Sequence, residues 1–356
     1  MSRSYFLLIS LAAAAAVMPI VEADAQGSAR MRGCWGETRI THAQRIKECT
    51  AIIEAKRESR DSRVLAYVNR AIVHYEVHRS PQRALADLDA AVRLDPDAPG
   101  PYRFRARVLH EEGKTDLAIA DYDQLIRITP GSGAAEFLVE RALLWKFKDD
   151  RERAIADFTE AIRLNPRLSS AFGYRGRLLV DLGAFEQAVA NYTEAIAAAD
   201  PNAFPSPAVE AMANRGYVHF MRADFAAAAA DLSAVSDESP YSRRNEMALP
   251  FHYIAQARMG KDDATLLREQ AERWQRTPLI FELFLGTKTP EQVLVDAGPE
   301  NYTSKCNAHF YVGQWHLLRG NRAEARERFT AATSKICEYR DITPPAAREE
   351  LKRLGQ

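Results

Sequence analysis

One pattern recurs along this chain and constrains its fold more than any other feature. Residues Ala154–Pro166 read AIADFTEAIRLNP. Near-copies stand at Ala84–Pro96 (ALADLDAAVRLDP), Ala118–Pro130 (AIADYDQLIRITP) and Ala188–Pro201 (AVANYTEAIAAADP), with a worn copy at Ala228–Pro240 (AAADLSAVSDESP). The closing prolines follow one another at 34, 36, 35 and 39 residues. Each copy has helical spacing and ends on a residue that cannot continue a helix. A unit this short cannot bury its apolar face alone, so recurrence at this period means units stacked on one another.

A second pattern accompanies the first. An Arg-small pair stands about 13 residues ahead of each copy, at Arg70-Ala71, Arg105-Ala106, Arg141-Ala142, Arg175-Gly176 and Arg215-Gly216. Only small side chains let two helices approach closely, so these positions read as the crossing point of a first helix with a second. Larger groups fill the space around it: Tyr67, Tyr102, Leu138, Phe172 and Met212 on the first helix, and Leu88, Tyr122, Phe158, Tyr192 and Leu232 on the second.

Small residues at the eighth and twentieth positions, an aromatic near the twenty-fourth and proline near the thirty-second, in phase from Val64 to Pro240, resemble the tetratricopeptide repeat. The usual first-helix Trp is replaced by Tyr, Leu, Phe or Met, and Pro201 sits one place late. The resemblance implies an all-α, right-handed superhelix (a solenoid) of helical hairpins, with five repeats over 64–240. A half-repeat or cap at 26–63 precedes them, a degenerate repeat and helical insertion at 241–305 follows, and a final repeat with a polar capping helix takes 306–356. In the cap the sequence reads one helix, near Ala43–Ala55. In the degenerate repeat it reads Phe251–Gly260 and Ala264–Trp274, then a short helix over Pro278–Leu285 and a capping box restarting at Thr289-Pro290-Glu291-Gln292.

Charges keep the same register. Arg70, Arg105, Arg141, Arg175 and Arg215 on the first helices match Asp87, Asp121, Asp157, Asn191 and Asp231 on the second. Partly buried charges are rarely left unpaired, so the favoured reading is a ladder of pairs between helices; a basic strip for an acidic ligand is the other.

The first 25 residues differ from the rest. Arg3, an apolar run from Tyr5 through Val17, and Ala23-Asp24-Ala25 ahead of Gln26 describe a secretory signal peptide cut after Ala25. Pro19 and Glu22 interrupt the run, so no membrane span is expected there. The four cysteines, Cys34, Cys49, Cys306 and Cys337, all lie beyond it. In an oxidising compartment they pair, and three pairings are open. In the repeat frame Cys49 falls on the inner face of a second helix, where Cys34 would fasten the leader. Cys306 and Cys337 fall at positions 1 and 32, the same end of a hairpin. The resemblance thus implies Cys34–Cys49 and Cys306–Cys337, each closure contributing about 3 kcal/mol in the loop-entropy account.

Lys+Arg and Asp+Glu both number 48, a formal net charge of zero, which removes the electrostatic case for a nucleic-acid partner. No G-x-S-x-G, H-E-x-x-H, P-loop or G-x-G-x-x-G occurs, and no close Cys pairs suit zinc. His74 and His78 stand one turn apart, but His74 takes a core position and no third ligand is spaced for a metal. Catalytic, cofactor and metal residues are therefore expected to be none. The alternative is a cell-envelope enzyme with its site in the 274–307 insertion, where Glu282, Asp296 and Glu300 are the acidic candidates.

What remains is a surface. In the resembled family the first helices line a concave groove that binds peptides. By phase, its exposed positions here are Asn69 and Ile72, Arg103, Phe104 and Arg107, Glu140 and Leu143, Tyr174 and Arg177, Asn214 and Tyr217. Aromatics and Arg are the types that make binding hot spots, and the two Asn could hydrogen-bond a peptide backbone. Further on, Phe281-Glu282-Leu283-Phe284-Leu285-Gly286, Thr289-Pro290-Glu291 and Cys306 with Phe310-Tyr311-Val312-Gly313-Gln314-Trp315 resemble the NlpI-type periplasmic repeat proteins of Gram-negative bacteria. That group implies a non-enzymatic, dimeric adaptor for a protein or peptide partner. No cysteine follows the cleavage site directly, so a lipid-modified N-terminus is not expected. The expected location is periplasmic or secreted, with homodimerisation a further expectation.

Overall fold

The computed structural model describes residues 29–36, 40–55, 57–203, 206–236, 243–273, 277–298, 302–334, 337 and 343–355, all helical or irregular and without a strand among them. The expected signal peptide and its cleavage site lie outside these residues, as do Pro240, Trp274 and Glu300. The chain divides into two compact units between Asp157 and Phe158.

The first unit opens with α1 (Ala29–Trp35) and α2 (His42–Glu54). Three hairpins follow: α3 (Arg60–Ile72) with α4 (Pro81–Leu94), α5 (Pro99–Glu111) with α6 (Thr115–Ile128), and α7 (Ala134–Phe147) with α8 (Arg151–Leu164), within which the division falls. α1 is an addition to the single helix that the sequence reads here. It is held by a disulfide between Cys34 and Cys49, Cα atoms 4.8 Å apart, in a small core with Met31, Ile52, Ile53 and Ala66. Thr41 starts α2 with a capping box: its hydroxyl accepts from the Gln44 amide at 3.2 Å, and Gln44 Oε1 accepts from the Thr41 amide at 2.9 Å. Ser59 caps α3, and prolines open α4 and α5, where a missing N–H is harmless.

α3 does not end as a plain helix. Residues Val73–Val77 wind into a wider π turn that buries His74 and Tyr75, a feature the periodicity gives no sign of.

The second unit contains α9 (Ser169–Asp181) with α10 (Phe185–Ala198) and α11 (Pro207–Met221) with α12 (Phe225–Ser236). Next come α13 (Arg243–Arg258), α14 (Thr265–Arg273) and the short α15 (Leu279–Leu285) and α16 (Pro290–Asp296). The hairpin α17 (Tyr302–Leu318) with α18 (Arg322–Ala332) and a final α19 (Thr343–Gly355) complete it. The Thr289–Gln292 capping box starts α16 as the sequence reads it. α13 begins at Arg243 and runs through Pro250, eight residues ahead of the expected start at Phe251. One apolar core runs from Phe172 to Leu354, built on ring contacts from Phe220 to Phe251 (4.9 Å) and Phe251 to Phe310 (5.2 Å, stacked). Cys306 and Cys337 are joined, Cα atoms 5.7 Å apart.

The small residues at the crossings do what packing demands. Ala71, Ala106 and Ala142 are buried to within 1%. A Cβ added at Gly216 would lie 2.8 Å from Leu232 Cγ, and one at Gly313 2.6 Å from Phe329 Cε1, closer than real carbon contacts allow. Each hairpin also turns through one left-handed residue. Gly113, Gly183 and Gly320 take that role with φ near +75°, while Arg79, Asp149 and Ala223 do so at +50°, +60° and +61°.

Candidate functional site

The registered arginines form pairs within each hairpin. Arg70 Nε donates to Asp87 Oδ2 (2.9 Å) and Nη2 to Oδ1 (2.6 Å); Arg105 binds Asp121 at 2.9 and 2.6 Å, and Arg141 binds Asp157 at 2.8 and 2.6 Å. The third guanidinium nitrogen reaches back to the preceding second helix, at Thr50, Asp89 and Asp123 respectively. In the second unit Arg215 repeats this with Asp231 and Thr193. Arg175 meets only neutral oxygens, Asn191 Oδ1 at 2.7 Å and Thr159 Oγ1 at 3.0 Å. The consequence is visible in the acid–base balance. Hydrogen bonds to Asp121 and Asp157 hold Arg105 and Arg141 above the ordinary arginine value, whereas burial pushes Arg175 below it. The ladder is therefore internal, and its guanidinium groups are engaged by their own chain.

With the ladder committed, the first helices of the first unit expose a second row. α5 presents Arg103, Phe104 and Arg107, and α7 presents Glu140, all part-exposed. Phe104 meets the Tyr75 ring edge-on at 6.1 Å, and the Arg107 guanidinium lies 4.5 Å over the Phe104 ring. Arg107 pairs with Glu76 and lies 3.9 Å from Glu111, which accepts the Tyr75 hydroxyl at 2.5 Å. Burial pushes the Glu140 carboxyl above the usual carboxylate range, with the Arg103 charge opposing. Burial, then the Glu140 charge, raises the Tyr122 hydroxyl. The result is an aromatic patch flanked by one pre-paired cation and one poorly solvated carboxylate. Tyr75, Glu76, Glu111 and Tyr122 complete it. Sequence reasoning placed Tyr122 in the core and passed over the others; only Glu111, four residues after Arg107, carried a signal.

The remaining candidates are distributed differently. Asn69 was expected to face a ligand, but its Oδ1 accepts from Arg45 Nη2 at 3.1 Å and its Nδ2 donates to the Leu65 carbonyl at 3.0 Å. The N-terminal α2 brings Arg45 across and occupies it. In the second unit Tyr174 is half-buried with its ring stacked on Phe158 at 6.1 Å, Arg177 is exposed and Asn214 is part-exposed. Tyr217 departs from its expected place. It is 6% exposed and packs edge-on against Phe251 at 5.0 Å, because α13 lays that phenylalanine over the face where Tyr217 would open.

Among the described residues neither chemical alternative gathers a site. His74 and His78 rings are 5.9 Å apart, and the nearest carboxylate, Asp87 at 3.9 Å, already holds Arg70. Among the described residues no group of three or more His, Cys, Asp or Glu could hold a metal ion. In the insertion, Lys288 Nζ binds both Glu282 (2.8 Å) and Asp296 (2.9 Å), which ties the two described carboxylates into one ion pair. No helix among the described residues is long and apolar enough to cross a membrane.

Compared with known proteins, residues 68–133, 147–203 and 174–243 match the family described as Tetratricopeptide repeat. Tetratricopeptide repeat protein 13 of Homo sapiens is 26% identical over 118 residues, 33% of this chain and 13% of that protein. Tetratricopeptide repeat protein 6 of Homo sapiens is 30% identical over 115 residues, 32% and 22% respectively. The chain thus spans less than a quarter of the length of these relatives. Among solved structures, YrrB, a TPR protein with an unusual peptide-binding site, is similar with a TM-score of 0.41 and 20% identity over 56% of this chain and 97% of that one. A tetratricopeptide repeat protein from Parabacteroides merdae gives 0.47 and 16% over 82% and 99%. The Pseudomonas aeruginosa protein pilF gives 0.48 and 17% over 64% and 99%.

Proposed function

Tetratricopeptide repeats occupy residues 68–133 and 147–243 of this chain, and from that premise we propose that it is a non-enzymatic binding scaffold that holds a peptide or protein partner on the first-helix face of its first unit. The repeats themselves suggest protein–protein interaction. One observation carries the finer reading: Arg103, Phe104, Arg107 and Glu140 lie on neighbouring first helices, part-exposed, outside the ladder that engages Arg70, Arg105 and Arg141. Aromatic and arginine side chains held rigid by neighbours lose little entropy on binding. Arg107 is pre-oriented by Glu76 and Phe104, and Glu140 gains if a partner offers it a donor.

The scaffold works outside the cytoplasm in this proposal, as an adaptor of the NlpI type, after removal of residues 1–25. Support comes from the leader sequence and from two disulfides, which persist in oxidising compartments. Peptide selection on the purified 26–356 chain, repeated with Arg103→Ala/Phe104→Ala, tests the binding face. The double variant should lose at least about tenfold in affinity for the selected peptides, roughly 1.4 kcal/mol. Equal affinity at unchanged stability would remove this face from the reading. N-terminal sequencing of protein recovered from the culture or envelope should begin at Gln26, and light scattering of the same material should report a dimer.

A further inference from the structure

The last helix is seated unlike a polar cap. Thr343, Ala346, Ala347, Glu350 and Leu354 make one buried stripe of α19, with Arg348 and Lys352 exposed on the opposite side. That stripe meets α18 and also the first helices α11 and α17. At its centre Glu350, fully buried, lies between cations and amides. Arg353 of the same helix approaches it at 2.9 Å, Arg258 of α13 at 3.6 Å, and Gln314 Nε2 of α17 donates to it at 3.2 Å. One turn on, Arg353 Nη2 donates to the Met221 carbonyl and reaches the Phe220 carbonyl at 3.5 Å, at the carbonyl end of α11 where a cation is favoured. Arg326 of α18 holds the Leu354 carbonyl at 2.5 Å, and Thr343 binds Asn307 at 2.7 Å.

This seat combines an apolar stripe with a buried polar centre. Ala346, Ala347 and Leu354 join the apolar core of this unit, and an ionic cluster is set into the middle of that contact. Three buried polar atoms, Glu350 Oε2, Arg258 Nη1 and Gln314 Oε1, have no hydrogen-bond partner. Buried ion pairs of imperfect geometry add little net stability but reject a wrong helix or register, since a misplaced charge is left unpaired. The seat supplies Arg258 and Gln314 for an acidic side chain and the Met221 carbonyl for a basic one three residues later.

We propose that the first-helix face of residues 207–318 is a receptor for an amphipathic helix of one pattern: two small residues, a glutamate three positions later, and Arg-Leu after a further turn. α19 occupies the receptor in cis, and a partner helix of that pattern displaces it. This receptor lies in the second unit and stands or falls apart from the peptide face of the first.

The probe is a labelled synthetic peptide of residues 343–355, with its Glu350→Lys counterpart as control, titrated into the full chain and into the full-length Glu350→Ala variant. Occupation in cis lowers apparent affinity by the fraction of time the seat is open, so the peptide should bind the variant at least about tenfold more tightly than the wild type. The Lys peptide should lose that binding. Equal binding to the two chains, or by the two peptides, overturns the proposal. Hydrogen exchange on the isotope-labelled wild-type chain tests it without a substitution. Excess unlabelled peptide should speed exchange of the chain's own amides 346–354 while leaving those of 306–316 unchanged, and no acceleration overturns it equally.

Discussion

Arg141 donates to both carboxylate oxygens of Asp157, at 2.8 and 2.6 Å, while its remaining nitrogen reaches Asp123 on the preceding hairpin. The arginine is about a fifth exposed and Asp157 less than a tenth, so the pair is shielded from solvent. Removing one partner of such a pair strands the other. Arg141→Ala should cost about 3 kcal/mol in urea unfolding, and Arg141→Ala with Asp157→Ala less than the two single changes combined. Unchanged stability with lost partner binding would make the ladder a ligand strip instead.

The rung at Arg175 is the weak one. Asn191 accepts a single bond from Arg175 Nε and spends its amide on the Gln187 carbonyl. Asn191→Asp should convert the contact to the two-bond form seen at Arg105, raising stability by about 1 kcal/mol, since charge-assisted hydrogen bonds are roughly twice as strong as neutral ones. A lower melting temperature would mean that the lost bond to Gln187 outweighs the new charge pair.

The hairpins, their crossing residues and the register of the arginines were legible in the sequence because stacking repeats the same demands at a fixed period. Arg141 could be matched to Asp157 by phase alone. What phase could not give was anything depending on a unit unlike its neighbours. Asn69 sits at a groove position, yet the aperiodic α2 delivers Arg45 to it. Tyr217 follows the pattern of an exposed residue, but Phe251, on a helix that runs through Pro250, covers it. Glu350 read as part of a polar cap because its neighbours Glu349 and Lys352 are polar. Its burial depends on Arg258, more than 90 residues earlier, and no local pattern reports that pairing.

Hairpin turns are the next place where one residue decides. Ala223 holds φ +61° where the equivalent turns use Gly113 and Gly183. A left-handed backbone costs a residue with a Cβ about 1–2 kcal/mol. Ala223→Gly should therefore stabilise the fold by roughly 0.5–1 kcal/mol after the greater unfolded-state entropy of glycine is subtracted, and so raise the melting temperature. Gly183→Ala should lower it by a similar amount.

Burial lowers the pKa of His74, His110, His219, His252, His309 and His316, in each case as the leading cause. A folded value below the unfolded one, near 6.5, means the unfolded chain takes up protons first. The stability these groups allow is complete above about pH 6.5 and is lost as the pH falls toward their folded values. The melting temperature should drop steadily over that interval, and His219→Gln should make the fall shallower. A flat profile would show the six rings to be solvated in the folded state.

Glu140 has the opposite sign. Burial raises its carboxyl above the usual range and the Arg103 charge only partly offsets this. The folded state therefore prefers the protonated form. Both states are protonated below the ordinary carboxylate value, and the cost of ionised Glu140 appears as the pH rises through the window between that value and the raised one. Glu140→Gln should accordingly be more stable than the wild type at pH 7 and indistinguishable from it in acid. If the residue is retained for recognition, the same variant should bind selected peptides more weakly at pH 7 despite its gain in stability. The two readouts moving in opposite directions separates a functional carboxylate from a structural one. A variant that loses stability at pH 7 would instead assign Glu140 to a stabilising pair with Arg103, and the peptide face would then rest on Arg103, Phe104 and Arg107 alone.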